Sequence, residues 1–264
     1  DVIKPATGKV IAAAPDASPT QVQTAIEAAR RAFDSGPWST AEPSERARCL
    51  RQLSSALLDA SSETFELAQA EWGCTANERL IQVDGPAFMA GRAAELALEP
   101  AEAPMDAWGA GGTTLLRYEP VGVVAAMTPW NFPHTLNVMK LGTALAAGNT
   151  LVLKPSPLTP LAGLALARII DEHTDIPPGV VNVVTPSGVE ASRLLTLDPR
   201  VDMVSFTGSS TVGRDVMAGA ATTMKRILLE CGGKSASIVL PDADVSDELL
   251  ERILFEGCTL HAGQ

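Results

Sequence analysis

From Val121 to Glu230 the chain repeats one unit: a short aliphatic run, then a longer stretch with helical spacing, then another aliphatic run. Strand-like segments cover Val121 to Met127, Thr150 to Lys154, Val180 to Thr185, Met203 to Phe206 and Arg226 to Glu230. Between them lie helix-like segments: Pro133 to Ala147, closed by Gly148-Asn149, then Thr159-Pro160 to about Glu172, Val189 to Thr196, and Ser210 to Ala221. A strand followed by a helix cannot pair with the next strand through a tight turn, so parallel pairing through a crossover is the consequence. The alternation therefore predicts an α/β fold with an open, mainly parallel sheet and helices on both faces. Aromatic residues are only 4% of the chain while 46% is hydrophobic. The core must then be built from Ala, Leu, Val and Ile, as suits parallel strands buried under Ala-rich helices.

The front of the chain reads differently. Residues 18 to about 98 are helical. Ser18-Pro19-Thr20-Gln21 is a capping-box start with proline at the first helical position. Val22, Ala25, Ile26, Ala29 and Phe33 follow at helical spacing, and Gly36-Pro37 ends the run. A second helix near Ser44 carries Ala47, Leu50, Leu53 and Leu57, a third starts near Ser61-Ser62, and a fourth spans about Pro86 to Leu98. Thr113 to Tyr118 is strand-like. There is no internal repeat.

Charge and cysteine usage exclude several classes. Net charge is −11, which argues against a nucleic-acid or anionic-membrane surface. The longest stretch free of charged residues, Pro120 to Met139, is interrupted by Pro129, Asn131 and Pro133 and cannot be one spanning helix. The four cysteines, Cys49, Cys74, Cys231 and Cys258, lack CxxC spacing, so reduced thiols in a cytoplasmic protein are expected. His134, His173 and His261 have no metal-ligand spacing, and no metal is expected. The chain begins at Asp1 rather than Met, which reads as a trimmed N-terminus.

In open parallel sheets, ligands bind at the carboxyl ends of the strands. Asn131, Lys154, Ser187-Gly188, Gly208 and Glu230 all fall at or just past such an end. Gly208 to Gly213 follows a strand and opens a helix, where free N–H groups favour a phosphate. Its spacing is GxxxxG rather than GxGxxG, and a plain helix start capped by Ser209 or Ser210 fits it as well. Lys154 could reach a ligand or extend to water. Asn131, stiffened between Pro129 and Pro133, could hold an oxyanion through its amide N–H or bond its own backbone. Glu230, after Ile227, Leu228 and Leu229, closes a strand that reads as buried. Desolvation there favours the protonated carboxyl and suits a general base, whereas a helix cap or an ion pair with Lys234 is the plainer role.

Thr128-Pro129-Trp130-Asn131-Phe132-Pro133, Phe206 to Gly213 and Leu229-Glu230-Cys231-Gly232-Gly233-Lys234-Ser235 together resemble the signature of the NAD(P)-dependent aldehyde dehydrogenases. The resemblance runs from Pro5-Ala6-Thr7-Gly8 to Gly263-Gln264 and is strongest from Tyr118 onward. It implies a Rossmann-like coenzyme domain for NAD or NADP. Coenzyme residues by this resemblance are Thr128, Trp130, Lys154, Ser156, Gly188, Phe206, Gly208, Ser209, Val212, Gly213 and Cys231. Catalytic residues are Asn131, holding the aldehyde oxygen, and Glu230, activating water to hydrolyse a thioester. The lysine matching Lys154 reaches the adenosine ribose. Pro157 stands where NAD-preferring members often carry a glutamate, so a 2′-phosphate would not be repelled.

The same resemblance divides the chain into a helical part over 1–100, a bridging hairpin over 101–122 carrying Tyr118-Glu119-Pro120-Val121-Gly122, a coenzyme core over 123–240, and the start of a catalytic domain over 241–264. It implies an aldehyde substrate and a homodimer or homotetramer built through the hairpin. In the family a Gly-Gln pair like Gly263-Gln264 is followed two positions on by the nucleophilic cysteine. None of the four cysteines matches it. Cys231 reads as a small buried hydrophobe where leucine is usual, and His261 as shaping the loop before the nucleophile. The expectation is oxidation of an aldehyde to an acid in a longer parent, with an inactive coenzyme-binding or dimerising fragment as the alternative. A base at Glu230 favours hydrolysis over transfer to coenzyme A.

Overall fold

The computed structural model describes residues 1–106, 113–233, 235–255 and 257. An antiparallel pair, β1 (Val2–Lys4) and β2 (Lys9–Ala12), precedes three helices: α1 (Pro19–Ser35), α2 (Pro43–Asp59) and α3 (Ser61–Glu71). The expected capping box is present. The Ser18 hydroxyl accepts from the Gln21 N–H, and the Gln21 side chain accepts from the Ser18 N–H. A 3-10 turn (Ala76–Glu78) and a π turn (Leu80–Asp84) then lead into α4 (Gly85–Leu96). These two turns have no counterpart in the sequence expectation, because neither i→i+3 nor i→i+5 bonding leaves a 3.6-residue hydrophobic period.

Strands β3 (Glu102–Asp106) and β4 (Thr113–Arg117) form a separate antiparallel hairpin, with Glu102 opposite Arg117. The hairpin lies N-terminal to Tyr118–Gly122, a segment that instead links β4 to the main sheet. Then come β5 (Val123–Met127), α5 (Pro133–Ala146), β6 (Thr150–Lys154), α6 (Leu161–His173), β7 (Val181–Val183), α7 (Val189–Leu197), β8 (Met203–Gly208), α8 (Ser210–Ala221), β9 (Arg226–Cys231) and α9 (Asp247–Leu254). The predicted alternation holds throughout. Gly148, at φ +82°, ends α5 in the left-handed region that a Cβ disfavours.

The sheet order is β7-β6-β5-β8-β9, every pair parallel. The chain builds outward from β5 through β6 to β7, then returns to pair β8 on the other side of β5. The strand order thus reverses between β5 and β8, and such a switch point opens a crevice at the strands' carboxyl ends.

Side-chain alternation divides the core in two. Val124, Ala126, Leu151 and Leu153 face α2, α4, α5 and α6, packing with Leu50, Leu53, Leu141, Leu145 and Leu166. Val123, Ala125, Val152, Val204 and Phe206 face α1, α7 and α8, packing with Ile26, Leu195 and Val216. The largest of these side chains are fully buried, each worth roughly 2–3 kcal/mol.

Beyond β9 the described chain leaves the sheet. The aliphatic run Ile238 to Leu240 forms no strand and is exposed, since among the described residues no neighbouring strand offers it a ladder. On α9 no residue is buried. Among the described residues no helix is long and apolar enough to cross a membrane.

Candidate functional site

All five parallel strands point their carboxyl ends at one rim, ending at Met127, Lys154, Val183, Gly208 and Cys231. Thr128, Asn131, Lys154, Gly188, Gly208 and Glu230 therefore share that rim although the first and last stand 102 positions apart.

On the α7/α8 side of the rim lies a cavity of about 660 Å³, within the roughly 300–1,000 Å³ typical of small-molecule sites. Of the residues read from the sequence, Thr128, Lys154, Phe206 and Val212 line it, as does Pro157. Asn131, Trp130, Ser156, Gly188, Gly208, Ser209, Gly213, Glu230 and Cys231 lie outside its lining. Leu197, Val189 and Val216 give it apolar walls, and Ser187, Ser192, Arg193 and Asp215 add polar groups.

Helix α8 starts at this cavity. Its N-cap is Ser209, whose hydroxyl accepts from the Val212 N–H at 3.3 Å. The N–H groups of Ser210 and Thr211 have no acceptor among the described residues. They are free for an anion, which the helix dipole also favours. The glycines of this turn serve the protein's own packing. A Cβ at Gly208 would sit 2.5 Å from the Phe206 ring, and one at Gly213 would sit 2.7 Å from Cys231 Sγ. At Gly188, by contrast, a Cβ would meet nothing within 4 Å, so that position opens onto free space. A dinucleotide fits these features: apolar walls for a base, a helix N-terminus for a pyrophosphate, and a lysine on the cavity wall.

Lys154 is half-buried, and its Nζ donates to the Pro155 carbonyl at 3.4 Å. Burial holds its pKa below the usual lysine value. Ser156 is buried, and its hydroxyl accepts from the Leu158 N–H at 3.2 Å, fixing the turn. The start of α6 behind this turn is held by Glu71 of α3, whose carboxylate accepts from the N–H groups of Leu161 (2.6 Å) and Ala162 (3.0 Å). Asp16 accepts from both the N–H and the hydroxyl of Ser187, tying the loop before α7 to the front of the chain.

The opposite side of the rim, toward α5, has a different character. Leu229 packs with the α7/α8 core, so alternation turns Glu230 to the α5 side. There Lys140 of α5 is buried and donates to Ser205 Oγ at 2.7 Å. Burial lowers its pKa to about 8, while the charge of Glu230 acts to raise it. Sequence reasoning passed over Lys140; a lysine on the inward face of an otherwise apolar helix was the available signal. The Thr207 hydroxyl, one strand across from Glu230, is buried without a partner among the described residues. Thr128 Oγ1 donates to Asn137 Oδ1 at 2.7 Å beneath the Asn131 turn. Asn131 is half-buried and bonds no described residue, so its amide is available rather than locked to its own backbone. His134, next to it, is fully buried and its pKa falls to about 4, so it stays neutral near pH 7.

Two residues differ from expectation. Glu230 is exposed, because β9 is the edge strand, with Ile227 and Leu228 also open to solvent. The desolvation invoked for its carboxyl is therefore absent among the described residues. Cys231 is likewise exposed rather than a buried hydrophobe, although its sulfur packs on Gly213. Cys49 and Cys74 are buried. Lys234, Cys258, His261, Gly263 and Gln264 lie outside the described residues.

Comparison with known proteins gives a consistent picture. The family model "Aldehyde dehydrogenase family" matches residues 1–264. A 3-succinoylsemialdehyde-pyridine dehydrogenase from Pseudomonas sp is 39% identical over 93% of this chain and 50% of its own length. An NAD-dependent aldehyde dehydrogenase from Sinorhizobium meliloti superposes with a TM-score of 0.90 at 37% identity, over 98% of this chain and 51% of that one. Betaine aldehyde dehydrogenase from Staphylococcus aureus, solved in complex with NAD+, gives a TM-score of 0.90 at 32% identity, over 98% of this chain and 51% of that one. The chain spans about half the length of the curated relatives it matches.

Proposed function

The chain belongs to the aldehyde dehydrogenase family, and from that premise we propose that the protein oxidises an aldehyde to a carboxylic acid with a nicotinamide dinucleotide. The observation that carries this reading is the division of one rim into two sides: a cavity beside a free helix N-terminus, and on the α5 side the buried Lys140, bonded to Ser205 and facing the charge of Glu230.

In this reading Phe206 and Val212 flank the coenzyme, Lys154 holds its ribose, and the Ser210 and Thr211 N–H groups hold its pyrophosphate. Bound there, the nicotinamide supplies the hydride acceptor. A cysteine thiolate, a role assigned to none of Cys49, Cys74, Cys231 and Cys258, attacks the aldehyde carbon, and the Asn131 amide donates to the oxygen as it becomes an oxyanion. One such donor is worth about 3–4 kcal/mol in a known enzyme. After hydride loss the carbon is a thioester. Glu230 takes a proton from water, the hydroxide adds to the carbonyl carbon, and the C–S bond breaks to return the thiolate and release the acid. The Glu230 carboxylate in turn favours the charged form of the buried Lys140. The boundaries 1–100, 101–122, 123–240 and 241–264, and pairing of two copies through the β3–β4 hairpin, are parts of the same proposal.

The test is Glu230→Gln in the whole protein. The first burst of reduced coenzyme is expected to persist, while steady turnover falls by about 10²-fold or more, the usual worth of a general base. An unchanged steady rate removes Glu230 from this role.

A further inference from the structure

We propose that Asn137 of α5 is a positioning residue for the oxidation: through Thr128 it holds the loop that presents the Asn131 amide to the aldehyde oxygen. The inference rests on the reading above, in which Asn131 steadies the oxyanion, and adds a second residue behind it.

Asn131 lies in the loop 128–132, between the last residue of β5 and the first of α5. Backbone bonds tie both ends of this loop. The Thr128 N–H donates to the Lys154 carbonyl at 3.1 Å, and the Phe132 carbonyl accepts from the Leu136 N–H at 2.9 Å. The N-cap of α5 is Phe132, which has no side-chain oxygen to brace the loop from the helix entry. The brace comes from the second turn of the helix. There Asn137 Oδ1 accepts from the Thr128 hydroxyl at 2.7 Å, three residues before Asn131. Pro129 and Pro133 fix φ on either side of Asn131, so the cross-brace at Thr128 completes a rigid frame around it.

Burial separates the roles of the two asparagines. Asn137 is fully buried and cannot touch an aldehyde, whereas Asn131 is half-buried and its amide bonds no described residue. Any effect of Asn137 on the reaction must therefore pass through Thr128, itself buried. An asparagine at this position also costs the fold something. Its Nδ2 is buried without a partner among the described residues, a penalty that an apolar side chain of similar size would avoid. Polar groups fixed in a buried network specify one geometry where apolar packing would tolerate several.

The neighbouring polar contact has the same form. One turn along α5, Lys140 donates to Ser205 of β8. Asn137 at the end of β5 and Lys140 at β8 thus pin α5 to the two strands between which the order reverses. The height and rotation of the first turn of α5 over the rim are set by directional bonds. That precision matters at an oxyanion, where a donor must lie about 2.7–3.1 Å from the developing charge and a shift of about 1 Å can cost roughly 10²-fold.

The test uses the whole protein and whichever of propanal, benzaldehyde and succinic semialdehyde it oxidises fastest with NAD or NADP. The double variant Thr128→Val/Asn137→Leu removes both partners of the bond and leaves neither unpaired. It is expected to unfold in urea close to the wild-type midpoint and to bind coenzyme within about twofold of wild type, while kcat falls about tenfold at an aldehyde KM within about twofold. Thr128→Val alone should lose as much, since either change breaks the same bond, and it serves in place of the double variant if the leucine does not fold. In an Asn131→Ala background the same substitutions should change kcat by less than about twofold, because nothing is left to position. Three results overturn the inference and leave the reading standing: a double variant with wild-type kcat, a loss that persists undiminished without Asn131, or a loss that falls on coenzyme affinity instead. Wild-type kcat in Asn131→Ala, or oxidation of none of the three aldehydes, overturns both.

Discussion

Replacing Lys140 by methionine isolates the energetics of the α5 side of the site. The side chains have similar reach, but methionine carries no charge. Burial moves the Lys140 pKa from 10.5 to about 8, so the folded protein holds the ammonium against a penalty of about 3 kcal/mol at one pKa unit per 1.36 kcal/mol. The folded-state pKa lies below the unfolded one. Between pH 8 and 10.5 the unfolded chain therefore binds more protons at this site than the folded one, and folding stability rises with pH. Below pH 8 both states are protonated and the penalty is present in full. Urea unfolding of wild type and Lys140→Met across this range cancels every other titration. The wild type is expected to gain about 3 kcal/mol on the variant between pH 8 and 10.5, with a constant difference below pH 8. A difference that stays flat to pH 10.5 would refute the claim that Lys140 is charged and desolvated in the folded protein. A buried ammonium that costs stability and sits beside the proposed base is the pattern expected of a functional residue.

Two further substitutions probe the scaffold. Gly208→Ala places a Cβ 2.5 Å from the Phe206 ring. The ring must then swing into the cavity it lines, and coenzyme affinity should drop by about tenfold with little loss of thermal stability; unchanged affinity by calorimetry would exclude Phe206 as a wall of the site. Asn149→Ala removes an oxygen that accepts from the Val121 and Gly122 N–H groups at 2.7 and 3.0 Å, just before β5. Leaving both donors unpaired should cost about 2–4 kcal/mol in urea unfolding, and a loss under about 0.5 kcal/mol would show that water replaces the amide.

Much of the fold could be read directly because parallel α/β units have local signatures. Each strand is a short aliphatic run and each helix shows its own period and caps, as at Ser18 and Gly148. What escaped was structure without a period: the 3-10 and π turns before α4. The site was half legible. Motif residues at strand ends could be placed on a rim, but which side of the rim each occupies depends on register and strand order. Glu230 was read as buried because its neighbours Leu228 and Leu229 are apolar, and it proved exposed because β9 is the edge strand.

By itself the sequence determined the alternation of strands and helices, the polar residues that end each strand, and the family signature from Thr128 to Ser235. These are properties of short segments, set by local sterics and hydrophobic period. Tertiary structure alone decided that the order reverses between β5 and β8, opening the cavity there. It decided too that Arg193 borders that cavity, and that Lys140 meets Ser205 from 65 residues away. Those facts arise from packing between segments distant in the chain, where proximity is settled by how whole layers stack rather than by any residue's neighbours in sequence.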